Sequence, residues 1–467
     1  MRRTNPQGAL CVILAILGLA ASPCLAADRC EMLLDINPSS ASSSAMNLVE
    51  FGNKVYFTAD NGTHGTELWE TNGTLGGTQM VADLFAGPDS SNPGSLTVCG
   101  NYLYYVIEGA DTDPRAGLFA LNGVTGTTEK ICSSAQNLIA GQTRLFFQGP
   151  AKSVSHLCAT DGTAASLEET SFAISDITGS LTIGNTLYYV FYSNAYGLWR
   201  TDGTDAGTQK ISNVYPGDKP ANLGGILLYS GWDPATDQEL WRSDGTEGGT
   251  FLVKDIRPGS QGSYVMRLKV AGNRLFFMAN DGTHGMELWK SDGTSDGTVL
   301  VRDINPGSAS CRIGFLAAYS PFLPDPIGET VGSQLFFLVW VDDTHPELWK
   351  SDETEAGTVK VKGFTFSPNV PQGYTIRSVD FNGVLYFTMS CPDTGVELWK
   401  SDGTEAGTRI VCDIVPGPDS SLPDSLTVLG DKLIFTAEDG TFGRELWVVA
   451  PIPERRTGTA EPWRMYR

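Results

Sequence analysis

One phrase recurs along the chain and constrains its fold more than any other feature. Set beneath one another, TELWETNGTLGGTQMVADL (66–84), QELWRSDGTEGGTFLVKDI (238–256), MELWKSDGTSDGTVLVRDI (286–304) and VELWKSDGTEAGTRIVCDI (396–414) are copies of a single unit. PELWKSDETEAGTVKV (346–361) and GLWRTDGTDAGTQKI (197–211) are near copies, and GLFALNGVTGTTEKI (117–131) and HLCATDGTAASLEET (156–170) are degenerate ones. RELWVV (444–449) begins a ninth unit and stops short. A length of 467 residues would ordinarily suggest two or three domains, but an array of this kind is one structure.

Each unit is preceded by an aromatic strand and a turn, as in KVYFTADNGTHG, RLFFMANDGTHG and KLIFTAEDGTFG. Before that lies a shorter apolar strand ending in a two-residue hairpin, for example Gly430 and Asp431 in SLTVLGDKLIF. Four strands in about 40–50 residues is the size of a propeller blade. Helical periodicity is nowhere sustained. Asp-Gly-Thr supplies a carboxylate that bonds its own turn and a Gly that accepts positive φ. Trp69, Trp199, Trp241, Trp289, Trp349, Trp399 and Trp447 share one repeat position and are read as packing elements between blades.

The ninth unit has no fourth strand, and the missing piece sits at the N-terminus. CEMLLDINPSS (30–40) resembles the end of a unit, as in VLVRDINPGS, so it completes the last blade and removes the open edges of a linear array. The expected fold is therefore an all-β propeller of eight or nine four-stranded blades, closed by an N-terminal strand, with a split into two smaller rings as the alternative. At this level the recurring ELWKSDGTxxGTxxVxDIxPG resembles the bacterial ELWxxDGT repeat family over nearly all of residues 27–450. The resemblance implies an extracellular repeat scaffold and brings no catalytic residues. Glu353 in place of the turn Gly and Cys158 in place of Trp depart from the pattern.

Residues 1–26 read as a cleaved secretory signal: Arg2 and Arg3, an apolar stretch from Ala9 to Ala21, Pro23, then small residues to Ala26. A lipid anchor at Cys24 or Cys30 is the weaker alternative, and the apolar run is too short to span a bilayer. Residues 451–467 form a polar tail. Removing Arg2 and Arg3 from the 32 basic residues leaves 30 against 53 acids, a balance of −23. Nucleic acid and anionic membrane are unsuitable partners for such a surface. Seven of the nine cysteines follow residue 26, and, scattered and without CxxC spacing, they argue against a zinc site and a disulfide framework, leaving a few bridges at most.

Chemistry in a propeller should break the repeat, and few residues do. The four histidines, His64, His156, His284 and His345, are assigned to turns before the ELW strand or its equivalent, and no GxSxG, HExxH or P-loop spacing occurs. Calcium is the candidate ion, through the turn carboxylates Asp60, Asp281 and Asp439; turn capping is the alternative use of the same groups. The largest departure, residues 308–333, is expected to join the histidine turns on one face, where Phe315, Tyr319, Phe322 and Trp340, with His64 and His284, are candidate binding residues. The expected function is a monomeric, non-enzymatic scaffold or binding protein, secreted, periplasmic or on the cell surface, presenting a face to a protein or glycan. The alternative is a secreted carbohydrate-active enzyme, lyase or hydrolase, with two non-repeated carboxylates converging at the axis.

Overall fold

The computed structural model describes residues 28–38, 42–109, 113–149, 155–174, 179–190, 196–214, 216–217, 219–314, 328–371 and 374–451. Nine four-stranded antiparallel sheets follow one another along the chain. Blade 1 is Met46–Phe51, Lys54–Asp60, Thr66–Thr71 and Gln79–Ala82. Each later blade repeats that order, and blade 9 pairs Asp424–Leu429, Lys432–Glu438 and Arg444–Pro451 with Asp28–Leu34 as its fourth strand. The expected closure is thus present, and the blade number is nine. The first strands of all nine blades touch in a closed circle, so they surround the centre.

The second strands read as continuous apolar runs because blades stack face to face and bury both sides. Phe57, Phe277, Phe337 and Phe387 are fully enclosed. Nine hydrophobic clusters result, each drawn from two neighbouring blades, the one between blades 9 and 1 included. Each repeat tryptophan packs against the cluster between its own blade and the one before, as the repeat position requires.

The Asp-Gly-Thr turn is a small hydrogen-bonded frame. Asp292 Oδ1 accepts from Thr294 N (3.0 Å) and Thr294 Oγ1 (2.6 Å), and Gly297 N donates to Thr294 Oγ1 (3.0 Å). Gly293 stands at φ +84°, and a Cβ on Gly297 would collide with the Asp292 carboxylate, so both glycines are dictated by geometry. Polar links then pass from blade to blade. Arg200 donates to Gly245 O (2.8 Å), Arg242 to Gly293 O (3.1 Å) and Lys290 to Glu353 O (2.8 Å).

The Glu of ELW is the least expected structural element. Glu67, Glu239, Glu287, Glu397 and Glu445 are fully buried, and each receives the backbone of the segment that leaves its blade. Glu239 accepts from Ile256 N (3.0 Å), Ser263 N (2.8 Å) and Ser263 Oγ (2.6 Å). Glu445 accepts from Ile36 N (3.0 Å) and Ser43 N (2.8 Å), so the N-terminal segment occupies the place of a crossover. A disulfide between Cys30 and Cys412 ties this closing strand to the last strand of blade 8. Cys30 is thereby used as a bridge and not as a lipid attachment point.

Burial pushes all five carboxylates above the ordinary 4.5, and Glu287 and Glu397 up to about 7. The folded state therefore binds these protons more tightly than the unfolded chain. Their stabilising contribution is complete below pH 4.5 and is lost as pH rises towards 7. The turn carboxylates Asp244, Asp292 and Asp352 have the opposite sign: hydrogen bonds from the next Thr but one hold them below 3.8, and their contribution disappears in stronger acid. Thermal melts should show the highest Tm between about pH 4 and 5 and a decline towards pH 8. A Tm that climbs steadily from pH 5 to 8 would contradict the assignment.

The bridge closes a loop of 382 residues, so Cys412→Ser should lower stability by about 2–5 kcal/mol. Reductant should shift the wild-type melt in the same direction and leave the variant's unchanged. Removing residues 30–38 should abolish cooperative melting, because it takes away a strand and the Ile36 donor to Glu445 together.

Candidate active site

Antiparallel strand order gives the ring two distinct faces. Turns between second and third strands share one face with the crossovers, while first hairpins and Asp-Gly-Thr turns share the other. The first strands run between the faces around the centre, and their residues are directly comparable through register. Val49, Thr97, Ile139, Leu181, Ala221, Val379 and Thr427 occupy one equivalent position, each opposite the third residue of its second strand, or the second in blade 3, where that strand starts one residue later. Lys269 and Glu329 occupy it in blades 6 and 7. Two adjacent charges thus replace apolar or threonine residues at this level.

Lys269 Nζ lies 3.0 Å from Glu329 Oε1, with both side chains about four-fifths covered. Glu329 Oε1 also accepts from Thr330 N (2.8 Å), and Glu329 Oε2 lies 3.5 Å from Ser378 Oγ at the start of the first strand of blade 8. Next to Ser378, Arg377 meets Asp424 of blade 9 in a two-pronged pair, Nε to Oδ1 at 2.9 Å and Nη2 to Oδ2 at 3.4 Å. Arg377, Ser378, Asp424, Ser425 and Leu426 line a cavity of about 350 Å³. Ser378 belongs to both groups, so one polar path runs Lys269–Glu329–Ser378–Arg377–Asp424 across four blades. Ser425 beside it is held at φ +54° by a bulge.

The residues singled out from the sequence lie elsewhere. His284 Nδ1 bonds Asp281 Oδ2 (2.7 Å), His345 bonds Asp342 and His64 bonds Asn61, all within their own turns. His156 differs from its expected turn position: it begins a third strand, stands where ELW has Glu, and meets Glu169 (2.8 Å). Asp281 Oδ1 accepts from Thr283 N and His284 N, and Asp439 Oδ1 accepts from Thr441 N and Phe442 N. The blade 1 counterpart of those two is Asn61, whereas Asp60 caps Gly62 from one position earlier. Each of these oxygens is engaged with its own turn, and among the described residues no group of three or more His, Cys, Asp or Glu side chains is arranged to hold a metal ion. Trp340 is buried, donates to Gly314 O (3.0 Å) and packs edge-on against Phe366, so it belongs to the core and not to a surface. Phe315, Tyr319 and Phe322 lie outside the described residues.

Sequence reading missed Lys269, Glu329, Arg377 and Asp424 because it compared ELW segments and turns. The same comparison applied to LKVAGN, ETVGS and LTVLGD, aligned on the hairpin, isolates Lys269 and Glu329 without a structure.

No family model and no curated protein matches the chain. Among solved structures it is similar to a puromycin hydrolase (12% identity, TM-score 0.38, 86% of this chain and 60% of that one). It is similar also to oligopeptidase B from Leishmania major (12%, 0.40, 74% and 52%) and to an oligogalacturonate lyase in complex with manganese (15%, 0.35, 67% and 86%). The β-propeller domain of the trilobed protease from Pyrococcus furiosus is matched over its whole length (13%, 0.33, 71% of this chain). The chain spans 52–60% of the two peptidases named first. The neighbours named here are enzymes or a domain of one, which runs against the expectation of a non-enzymatic scaffold or binding protein. At such identities the likeness describes the propeller alone; the chemistry has to come from this chain's own residues, which form a nine-bladed β-propeller with a non-repeated charged path beside its axis.

Proposed function

We propose that the protein is a carbohydrate-active enzyme working outside the cytoplasm, with its active site beside the axis at Glu329 and Asp424. One observation carries this reading: Glu329, a carboxylate where the other blades have apolar residues, threonine or Lys269, is joined through Ser378 and Arg377 to Asp424, which lines a cavity on the inner strands. Structural residues of a repeat protein recur, whereas a catalytic group is needed once. The Cys30–Cys412 bridge supports an oxidising compartment, in keeping with the secretory signal read from the sequence.

The pairing favours elimination over hydrolysis. Hydrolysis by two carboxylates requires one of them to hold a proton for the leaving oxygen. Here Glu329 rests against Lys269 and Asp424 against Arg377, and an ion-paired carboxylate is arranged to accept a proton. A lyase needs such an acceptor next to the sugar carbon that loses hydrogen, and a cation to take up the charge that develops on the adjacent uronate carboxylate. Glu329 serves as the base; Arg377, half exposed, is the cation with room for a second partner. The carbon–hydrogen electron pair becomes the new carbon–carbon double bond as the glycosidic oxygen leaves and takes a proton from water or Lys269.

Purified mature protein should therefore generate unsaturated uronate ends from polygalacturonate or alginate, read by their ultraviolet absorbance, and leave neutral glucans intact. Glu329→Gln should reduce that rate by about 10²–10⁴-fold while the protein still melts cooperatively. Equal rates for wild type, Glu329→Gln and Asp424→Asn would remove the site from consideration, and absence of cleavage across acidic and neutral polysaccharides would remove the function.

A further inference from the structure

Nine similar blade junctions allow one gap to be compared with another. On the hairpin face, the basic residue after the ELW tryptophan reaches across to the turn of the next blade. Between blades 4 and 5, Arg200 Nη1 donates to Gly245 O (2.8 Å). Its Nε faces the amide of Gln209, whose oxygen, in the orientation that satisfies both groups, accepts at 2.6 Å. Between blades 6 and 7, Lys290 donates to Glu353 O (2.8 Å) and stands 3.6 Å from the Glu353 carboxylate, which also takes Arg274 Nε at 2.9 Å. Glu353 holds φ +75° at a position where the other well-formed turns carry Gly, a conformation that costs a non-glycine residue about 1 kcal/mol or more. An acidic oxygen beside the reaching cation is worth that strain.

The junction between blades 5 and 6 lacks such an oxygen. Arg242 Nη1 donates to Gly293 O (3.1 Å), but Phe251 stands where Arg200 has Gln209, and the guanidinium lies 5.1 Å over its ring. Arg242 Nε is buried with no acceptor. A buried donor of this kind carries the full cost of lost hydration. Gly293 has no side chain to answer it, and the space is a cavity of about 370 Å³ lined by Arg242, Asn273, Arg274, Asp292, Gly293 and Ile226, among others. A Cβ at Gly293 would come no closer than 3.8 Å to any atom, so nothing occupies the place that the Glu353 side chain fills one junction further on.

We propose that this cavity binds a small carboxylate ligand, its oxygens accepting from Arg242 where Glu353 accepts from Lys290. Asp292 lines the same cavity, but its Oδ1 accepts from Thr294 and neither of its oxygens bonds Arg242 Nε, which has no partner. The chain's acidic balance acts against anions at long range, but that field is screened beyond about 8 Å at physiological salt, while Arg242 acts in contact. The site is on the face opposite the entry to the crossovers and does not depend on the axial chemistry. A uronic acid and an aliphatic dicarboxylate offer the same group, and the probes separate them.

The test is a thermal-shift and calorimetric titration of the full mature protein with D-glucuronate, succinate and glucose at about 10 mM. Stabilisation by glucuronate alone identifies a sugar acid, by succinate alone a dicarboxylate, and by both a general carboxylate site; each supports the proposal if glucose has no effect. Arg242→Lys keeps a donor to Gly293 O but loses Nε, and should weaken binding by about tenfold or more. Gly293→Glu supplies the carboxylate from the chain itself and should abolish binding while melting no lower than wild type. No shift with either carboxylate, a shift equal to that of glucose, or undiminished binding in both variants would overturn the proposal.

Discussion

The ring depends on a carboxyl group buried in most of its junctions. A carboxylate taken out of water is costly unless several donors receive it, and the Glu of ELW meets this condition only when the outgoing chain wraps round it. Glu239 gathers Ile256, Arg257 and Ser263, residues 17, 18 and 24 positions later. The crossover to the next blade is thereby fixed at both its start and its end, and the next blade's first strand is set beside the axis. Glu445 imposes the same requirement on the N-terminus, which supplies Ile36 and Ser43 from the other end of the chain. Closure therefore uses the same contact as propagation.

Where that carboxylate is absent the blade changes in a consistent way. Gly117 and Gly197 take the Glu position in blades 2 and 4, and a side chain there would run into the carbonyl of Cys132 or Ser212, so the last strand has moved in to close the space. In blade 6, Cys311 stands where other crossovers have the serine that donates both N–H and hydroxyl, and Glu287 is among the carboxylates raised furthest. In blade 7, Glu347 turns to Trp349 Nε1 (3.0 Å) and Lys360 (2.6 Å) instead, next to the longest crossover. Degenerate repeats are thus alternative solutions to one packing problem.

The architecture was legible in the sequence because repetition displays it: the tryptophans, the Asp-Gly-Thr frames and the displaced N-terminal strand each recur or are conspicuously missing once. The role of the ELW glutamate was not legible, since a Glu in a strand reads as a solvent-facing residue and its partners lie up to 24 positions away. The site was hidden for a related reason. First strands are short, three residues in blades 4, 5 and 7, and carry no motif of their own, so Glu329 in ETV attracts no attention until its register with Val49 or Thr97 is known.

A ring of similar blades supplies nine equivalent positions at every level, and most must be filled in the same way for neighbouring blades to pack. Function is then confined to positions where a change does not disturb that packing. The inner strands satisfy this because the centre they surround leaves them partly accessible, and the hairpin-face turns do so because their side chains project into gaps between blades. Lys269 and Glu329 exploit the first, compensating each other's charge so that neither blade is left with an unpaired ion. Glu353 and Gly293 show the second, one filling its gap and the other leaving it open, on frames otherwise alike. The same equivalence that makes the fold easy to recognise therefore makes each unmatched charge or empty gap informative, because eight other blades show what structure alone requires there.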